Sequence, residues 1–195
     1  MRLVEHPDWG TKVRPPKWWH GRRWWKRSPE SVKHWCWHQT AVLGGIAARD
    51  LEAYLERLHG HAVEPGKRQR DGVPYAYVYS PRFEALVALT HPAWCGYHGN
   101  GGNKGIGIAI DASIPGELLD VDALAEAWGM AIDHAEGVGF KPSLITSHRQ
   151  HSNMRGGDPG SEVWHVVERV GRELGLRVDE GTTGSGRPIP EHWRP

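Results

Sequence analysis

The sequence predicts an α/β domain: a central mixed β-sheet of about five or six strands flanked by three main helices. Three observations point to it. Runs with β-branched and aromatic bias alternate along the chain with stretches of helical periodicity, the pattern of helices packed on a sheet. Ile106-Gly107-Ile108-Ala109-Ile110 is short and continuously apolar, as a buried strand requires. Two cysteines among 195 residues, Cys36 and Cys95, cannot build a disulfide framework, so the fold must rest on a hydrophobic core.

The elements follow in order. Val32 to His38 (Val-Lys-His-Trp-Cys-Trp-His) has the composition of a strand. Ala47 to Leu58 reads as an amphipathic helix, with Leu51, Tyr54, Leu55 and Leu58 at helical spacing. A charged loop, Glu64 to Gly72, leads to two strand-like runs, Tyr75 to Tyr79 and Ala85 to Leu89. Gly96 to Gly105 is too glycine-rich for regular structure. After the strand at Ile106, Asp122 to Ala135 reads as the second helix. Ser143 to Thr146 is a short apolar run closed by His148, and Ser161 to Leu174 is the third helix, with Ser161 as its expected N-cap. From Thr182 the chain is rich in Gly, Pro and Ser and is expected to be loosely ordered. The chain thus divides into a basic arm (1–30), a body (31–176) and a tail (177–195).

A formal net charge of +1 conceals an asymmetry. Residues 1–30 carry eight Lys or Arg against three Asp or Glu, and the remainder sixteen against twenty. The mildly acidic body argues against a nucleic-acid-binding protein, since only the arm would meet phosphates. No stretch reaches the ~20 apolar residues of a membrane span. The N-terminus lacks the charged-then-apolar order of a secretory signal. The arm holds the chain's two tryptophan pairs, Trp18-Trp19 and Trp24-Trp25, interleaved with Lys and Arg. Such a segment can stack on bases, lie on a membrane, face a sugar polymer, or pack its indoles onto the body.

Thirteen histidines are the other excess. The informative ones close strands, where sites form. His38 ends the first strand and His148 the fifth run. Ten residues later Asp158 precedes Pro159-Gly160 and a helix start, and the polar loop between can fold back onto His148. Two imidazoles and a carboxylate are a standard catalytic zinc set. Spacing alone leaves this open, because a lone strand-end histidine is more often a surface residue.

Four ordered pieces resemble the zinc-dependent N-acetylmuramoyl-L-alanine amidases of the second type, a family that includes phage lysozyme-like amidases and peptidoglycan recognition proteins. They are His38-Gln39-Thr40-Ala41; Tyr75 opening the next strand; His98-Gly99-Asn100 with Asn103 and then Ile106-Gly107-Ile108; and His148 followed by Asp158-Pro159-Gly160 and Trp164. The resemblance covers roughly residues 31 to 175. It implies Zn2+ held by His38, His148 and Asp158, with His34 and His151 as decoys. It implies bacterial peptidoglycan as partner, cleavage of the amide between N-acetylmuramic acid and L-alanine, and His98 and Asn103 at the substrate groove. No oligomeric state is implied. An endolysin of this kind is made in the cytoplasm of a phage-infected host and acts on the wall after release, or from the virion.

The chain departs from the pattern in two places. Ala109 stands where many members carry a glutamate base, and Gly156 where phage-type members carry a lysine. Tyr75 and Arg155 remain as candidate catalytic helpers. Asp111 shares the face of Ala109 but lies ~6.5 Å further along, and is expected to be a solvated carboxylate. The alternative implied by these losses is a peptidoglycan-binding module with weak or no catalysis.

Overall fold

The computed structural model describes residues 1–7, 9, 26–40, 48–63, 73, 75–94, 105–111 and 120–195. Their centre is a seven-stranded mixed sheet in the order β1-β4-β3-β5-β2-β6-β7. The strands are β1 (Arg2–Glu5), β2 (His34–Gln39), β3 (Tyr77–Ser80), β4 (Ala85–Ala88), β5 (Ile106–Ile110), β6 (Leu144–Ser147) and β7 (Arg177–Val178). All pairs are parallel except β3 with β4. The helices are α1 (Leu51–Val63), α2 (Val121–Gly137) and α3 (Ser161–Glu173).

Strand alternation sorts the side chains to two faces. Trp35 and Trp37 of β2, Tyr77 and Tyr79 of β3 and the three isoleucines of β5 join one core with α2 and α3. There Trp37 meets Trp128 of α2 edge to face, ring centroids 4.6 Å apart. A Cβ on Gly171 of α3 would lie 2.9 Å from both Ile145 and Trp128, so this glycine lets the helix backbone close onto the sheet. Val78, Val87 and Ala109 face the other way and pack with Tyr54 and Leu58 of α1. His34, Cys36 and His38 lie on that second face, opposite the two tryptophans. Asp120 caps α2, its carboxylate accepting from the backbone N–H groups of Asp122 and Ala123 at 2.9 and 3.1 Å.

Three expectations are corrected. The sheet has seven strands, not five or six. The additional ones are β7, two residues long, and β1, which lies inside the segment read as an arm and pairs with β4. Helix α3 begins at Ser161 but is preceded by Gly160, at φ 93°, and Ser161 does not cap it. The Asp158 carboxylate nearby is turned to the histidines instead. The tail is not loose: Ile189 and Trp193 are buried in the main core. Trp193→Ala should therefore destabilise the protein by about 3 kcal/mol. A urea midpoint unmoved by this substitution would show that the tail lies outside the cooperative unit.

Near the other terminus, Trp9 stacks on His6 at 3.7 Å and packs against the α1 core. The buried Arg27 guanidinium donates to the carbonyls of Gly105, Pro92 and Trp94 at 2.6, 2.8 and 2.8 Å. The tryptophan pairs of the arm lie outside the described residues.

Candidate metal centre

β2 and β6 are adjacent and parallel, so their carboxyl ends meet at one edge of the sheet. His38 sits near the end of β2, and His148 opens a one-turn 3-10 helix, His148–Gln150, directly after β6. The loop that follows folds back: Arg149 N–H donates to the Asp158 carbonyl at 3.0 Å. This sets the Asp158 side chain across both histidines. Its Oδ2 lies 2.9 Å from His148 Nδ1 and 3.7 Å from His38 Nδ1, while Oδ1 accepts from the Gln39 backbone N–H at 2.8 Å. The two imidazole rings are 4.4 Å apart. Among the described residues this is the one group of three or more His, Cys, Asp or Glu whose ligand atoms lie close enough for a metal, all within 4.8 Å.

The donor set fits a zinc ion. Ligands about 2.0–2.2 Å from a tetrahedral metal are roughly 3.3–3.6 Å from one another, and the two observed separations from Asp158 bracket that range. The protonation states fit as well. Burial pushes His38 down to about 4, further lowered by the charges of His148 and Arg155 and opposed by Asp158, so the ring is neutral at pH 7. Burial alone would raise the Asp158 carboxyl, but the hydrogen bond from His148 and the neighbouring His38 ring hold it well below the usual range, so it is ionised. Neutral imidazole and carboxylate are the forms that bind metal.

The other predicted residues fall into distinct places. Tyr75 is half-buried with its ring 4.7 Å from that of His38. Arg155 is exposed on the return loop, near enough for its charge to act on His38. His98 and Asn103 lie outside the described residues. His34 and His151 form a separate stacked pair, centroids 5.3 Å apart. His38 is in register with Ala109, so a buried methyl occupies the position where a glutamate would act. Asp111 is corrected from a solvated carboxylate to a buried one. It accepts from Thr40 Oγ1 at 3.2 Å and, with burial, raises the phenol of Tyr54.

Sequence reasoning missed Gln150, which is fully buried behind His148. Ser147-His-Arg-Gln150 is a capping box, with the Gln150 side chain accepting from the Ser147 N–H at 2.8 Å. That S-x-x-Q spacing is visible in the sequence.

No protein-family model matches the chain, and no curated protein sequence matches it. Solved structures do. The ectodomain complex of peptidoglycan recognition proteins LCa and LCx bound to tracheal cytotoxin is similar over 87% of this chain and 96% of that one, at 14% identity and a TM-score of 0.62. Drosophila PGRP-LB is similar over 86% and 92%, at 15% identity and 0.61. The endolysin N-acetylmuramoyl-L-alanine amidase LysCS from Clostridium intestinale URNW is similar over 90% and 96%, at 12% identity and 0.53. The chain therefore has the fold shared by N-acetylmuramoyl-L-alanine amidases and peptidoglycan recognition proteins.

Proposed function

We propose that the protein is a zinc-dependent peptidoglycan hydrolase that cleaves the amide bond between N-acetylmuramic acid and L-alanine, working as a phage or prophage endolysin. The observation that carries this reading is the convergence of His38, His148 and Asp158 at the carboxyl ends of two adjacent parallel strands, in a fold shared with endolysin amidases. Peptidoglycan as partner is supported by the similarity to recognition proteins, one of them bound to tracheal cytotoxin. The basic Trp-rich segment 1–30 supplies wall affinity, and His98 and Asn103 belong to the substrate groove.

His38, His148 and Asp158 would hold the ion, and zinc there would supply Lewis acidity for the scissile carbonyl and for water. The chain's own residues do the rest. In the metal-free site Asp158 sets the orientation of His148 through Nδ1, and the Gln39 N–H fixes Asp158 in turn. Tyr75, whose ring packs on that of His38, supplies the phenol O–H that donates to the oxyanion forming on the carbonyl. Arg155 adds positive charge at the same rim. Tyr75→Phe should leave metal uptake intact and slow hydrolysis about 10- to 1,000-fold. The assay is zinc-loaded protein on purified peptidoglycan, with newly exposed alanine amino groups counted against new reducing ends. Reducing ends without amino groups would sink the amidase reading.

Ala109 opposite His38, and Gly156 on the return loop, favour a second reading: a binding module that keeps the groove with little catalysis. Tight wall binding without amino-group release is its signature in the same assay.

A further inference from the structure

We propose that Gln150, His151 and Thr183 form a positioning lock, through which the C-terminal segment 179–187 holds the His148 turn in its metal-binding geometry. This rests on the zinc reading above.

The turn that carries His148 is clamped from two sides. On one side Arg149 N–H is tied to the Asp158 carbonyl. On the other, the next two carbonyls are taken by the tail: Arg149 C=O accepts from Arg187 N–H and Gln150 C=O from Thr183 N–H, both at 2.9 Å. The Gln150 side chain bridges the same gap. Its oxygen accepts from Ser147 N–H, and its amide nitrogen donates to the carbonyls of Asp179 and, at 2.9 Å, Gly181. The tail lies so close that a Cβ on Gly186 would come within 1.8 Å of the Gln150 carbonyl oxygen.

His151 extends the lock to the other ligand-bearing strand. Its Nδ1 lies 2.8 Å from Thr183 Oγ1 and its Nε2 3.0 Å from Thr146 Oγ1. The Thr146 hydroxyl donates to the Trp35 carbonyl at 3.2 Å. Its proton is thereby committed, so Thr146 accepts from Nε2–H, and Nδ1 accepts from the Thr183 hydroxyl. The bonds run in one direction: Thr183 to His151 to Thr146 to Trp35, three residues before His38 on β2. One neutral imidazole thus joins the tail to both β6 and β2, the elements that present His148 and His38. Burial, with the charges of His34, His148 and His38, lowers His151 to about 3 and keeps it neutral for this dual role. His151 is accordingly a strut behind the centre, not a ligand within it.

The test uses the full-length chain and cobalt(II) as probe, with affinity read by competition against a chromophoric chelator and geometry read from the visible absorption. Thr183→Val keeps the shape of the side chain and removes the hydroxyl. It should weaken cobalt binding about fivefold and alter the spectrum, and Thr183→Ser should restore both. Gly186→Ala should weaken binding about 10- to 100-fold. If Gly186→Ala does not fold, the Thr183 pair decides. Wild-type affinity and spectrum in Thr183→Val, or failure of Thr183→Ser to restore them, overturns the lock. A melting temperature lowered with an unchanged spectrum overturns it too, since that is a purely structural role. Wild-type protein that takes up no cobalt overturns the metal reading as well, so the two failures are separable.

Discussion

Replacing His148 with alanine is expected to abolish stoichiometric zinc binding and to lower amino-group release from peptidoglycan by at least about 1,000-fold. The size follows from what remains. His38 and Asp158 alone are two donors, too few for a site that holds three protein ligands and keeps a position open. Asp158 also loses the nearer of its two histidine partners, the His148 Nδ1 at 2.9 Å. The Asp158→Asn variant should fail in the same way for a different reason. An amide cannot supply the anionic donor, although it can still accept from the Gln39 N–H. His34→Ala is the control: that ring stacks on His151, away from the three ligands, so zinc should be retained. Zinc is counted by elemental analysis after dialysis, and activity by the alanine amino-group assay. A His148→Ala protein that keeps one equivalent of zinc, or hydrolyses the wall at the wild-type rate, would exclude the His38–His148–Asp158 centre.

The second large effect is acid lability of the metal-free protein. His38 and His151 are held neutral at about 4 and about 3, both chiefly by burial, whereas in the unfolded chain they titrate near 6.5. Their folded values are depressed, so the unfolded state binds more protons as the pH drops. The stability they contribute is complete above 6.5 and falls as pH moves down towards 4 for His38 and 3 for His151. At pH 5 each should cost roughly 2 kcal/mol relative to pH 7. Together this is a large part of the ~5–15 kcal/mol that stabilises a domain. Asp158, held below its usual range, acts with the same sign but only in more acidic solution. The measurement is urea unfolding in the presence of a chelator at pH 7 and pH 5. An unchanged midpoint would mean that the two rings are not buried neutral. Saturating zinc should raise the midpoint at both pH values, and by more at pH 7 than at pH 5, because ligands must shed protons to bind it.

Much of this architecture was legible because its signals are long or repeated. β2, β5 and all three helices carry enough apolar periodicity to be seen in the sequence, and their observed bounds differ from the expected ones by a few residues. β1 and β7 were not legible. β7 has two residues and β1 is a short stretch of mixed composition, Arg-Leu-Val-Glu, and both owe their structure to pairing with β6 and β4. The packing of the tail was hidden for a related reason. Gly, Pro and Ser suggest freedom when read locally, yet Gly186 is glycine because it presses on Gln150, and Trp193 anchors the end. Asp111 looked solvated from its place at a strand end, since nothing local reveals that Thr40 and Tyr54 close around it. For the candidate site, strand-end position raised His38, His148 and Asp158 only as candidates, and the resemblance chose them over His34 and His151. The turn geometry supplies the physical reason, pointing the His148 ring at Asp158 and the His151 ring between two threonines.

The order of strands has a consequence for how the molecule comes to exist. β2 is formed early in the chain but pairs only with distant partners. His38 is opposite Ala109, and Cys36 is opposite Thr146, separations of 71 and 110 residues. Local contacts cannot assemble such a centre, and closing loops of that length before any reward slows folding. On a ribosome, β2 must wait unpaired until β5 and then β6 emerge. His38, His148 and Asp158 are therefore brought together only late, once β6 and the loop after it have joined the sheet.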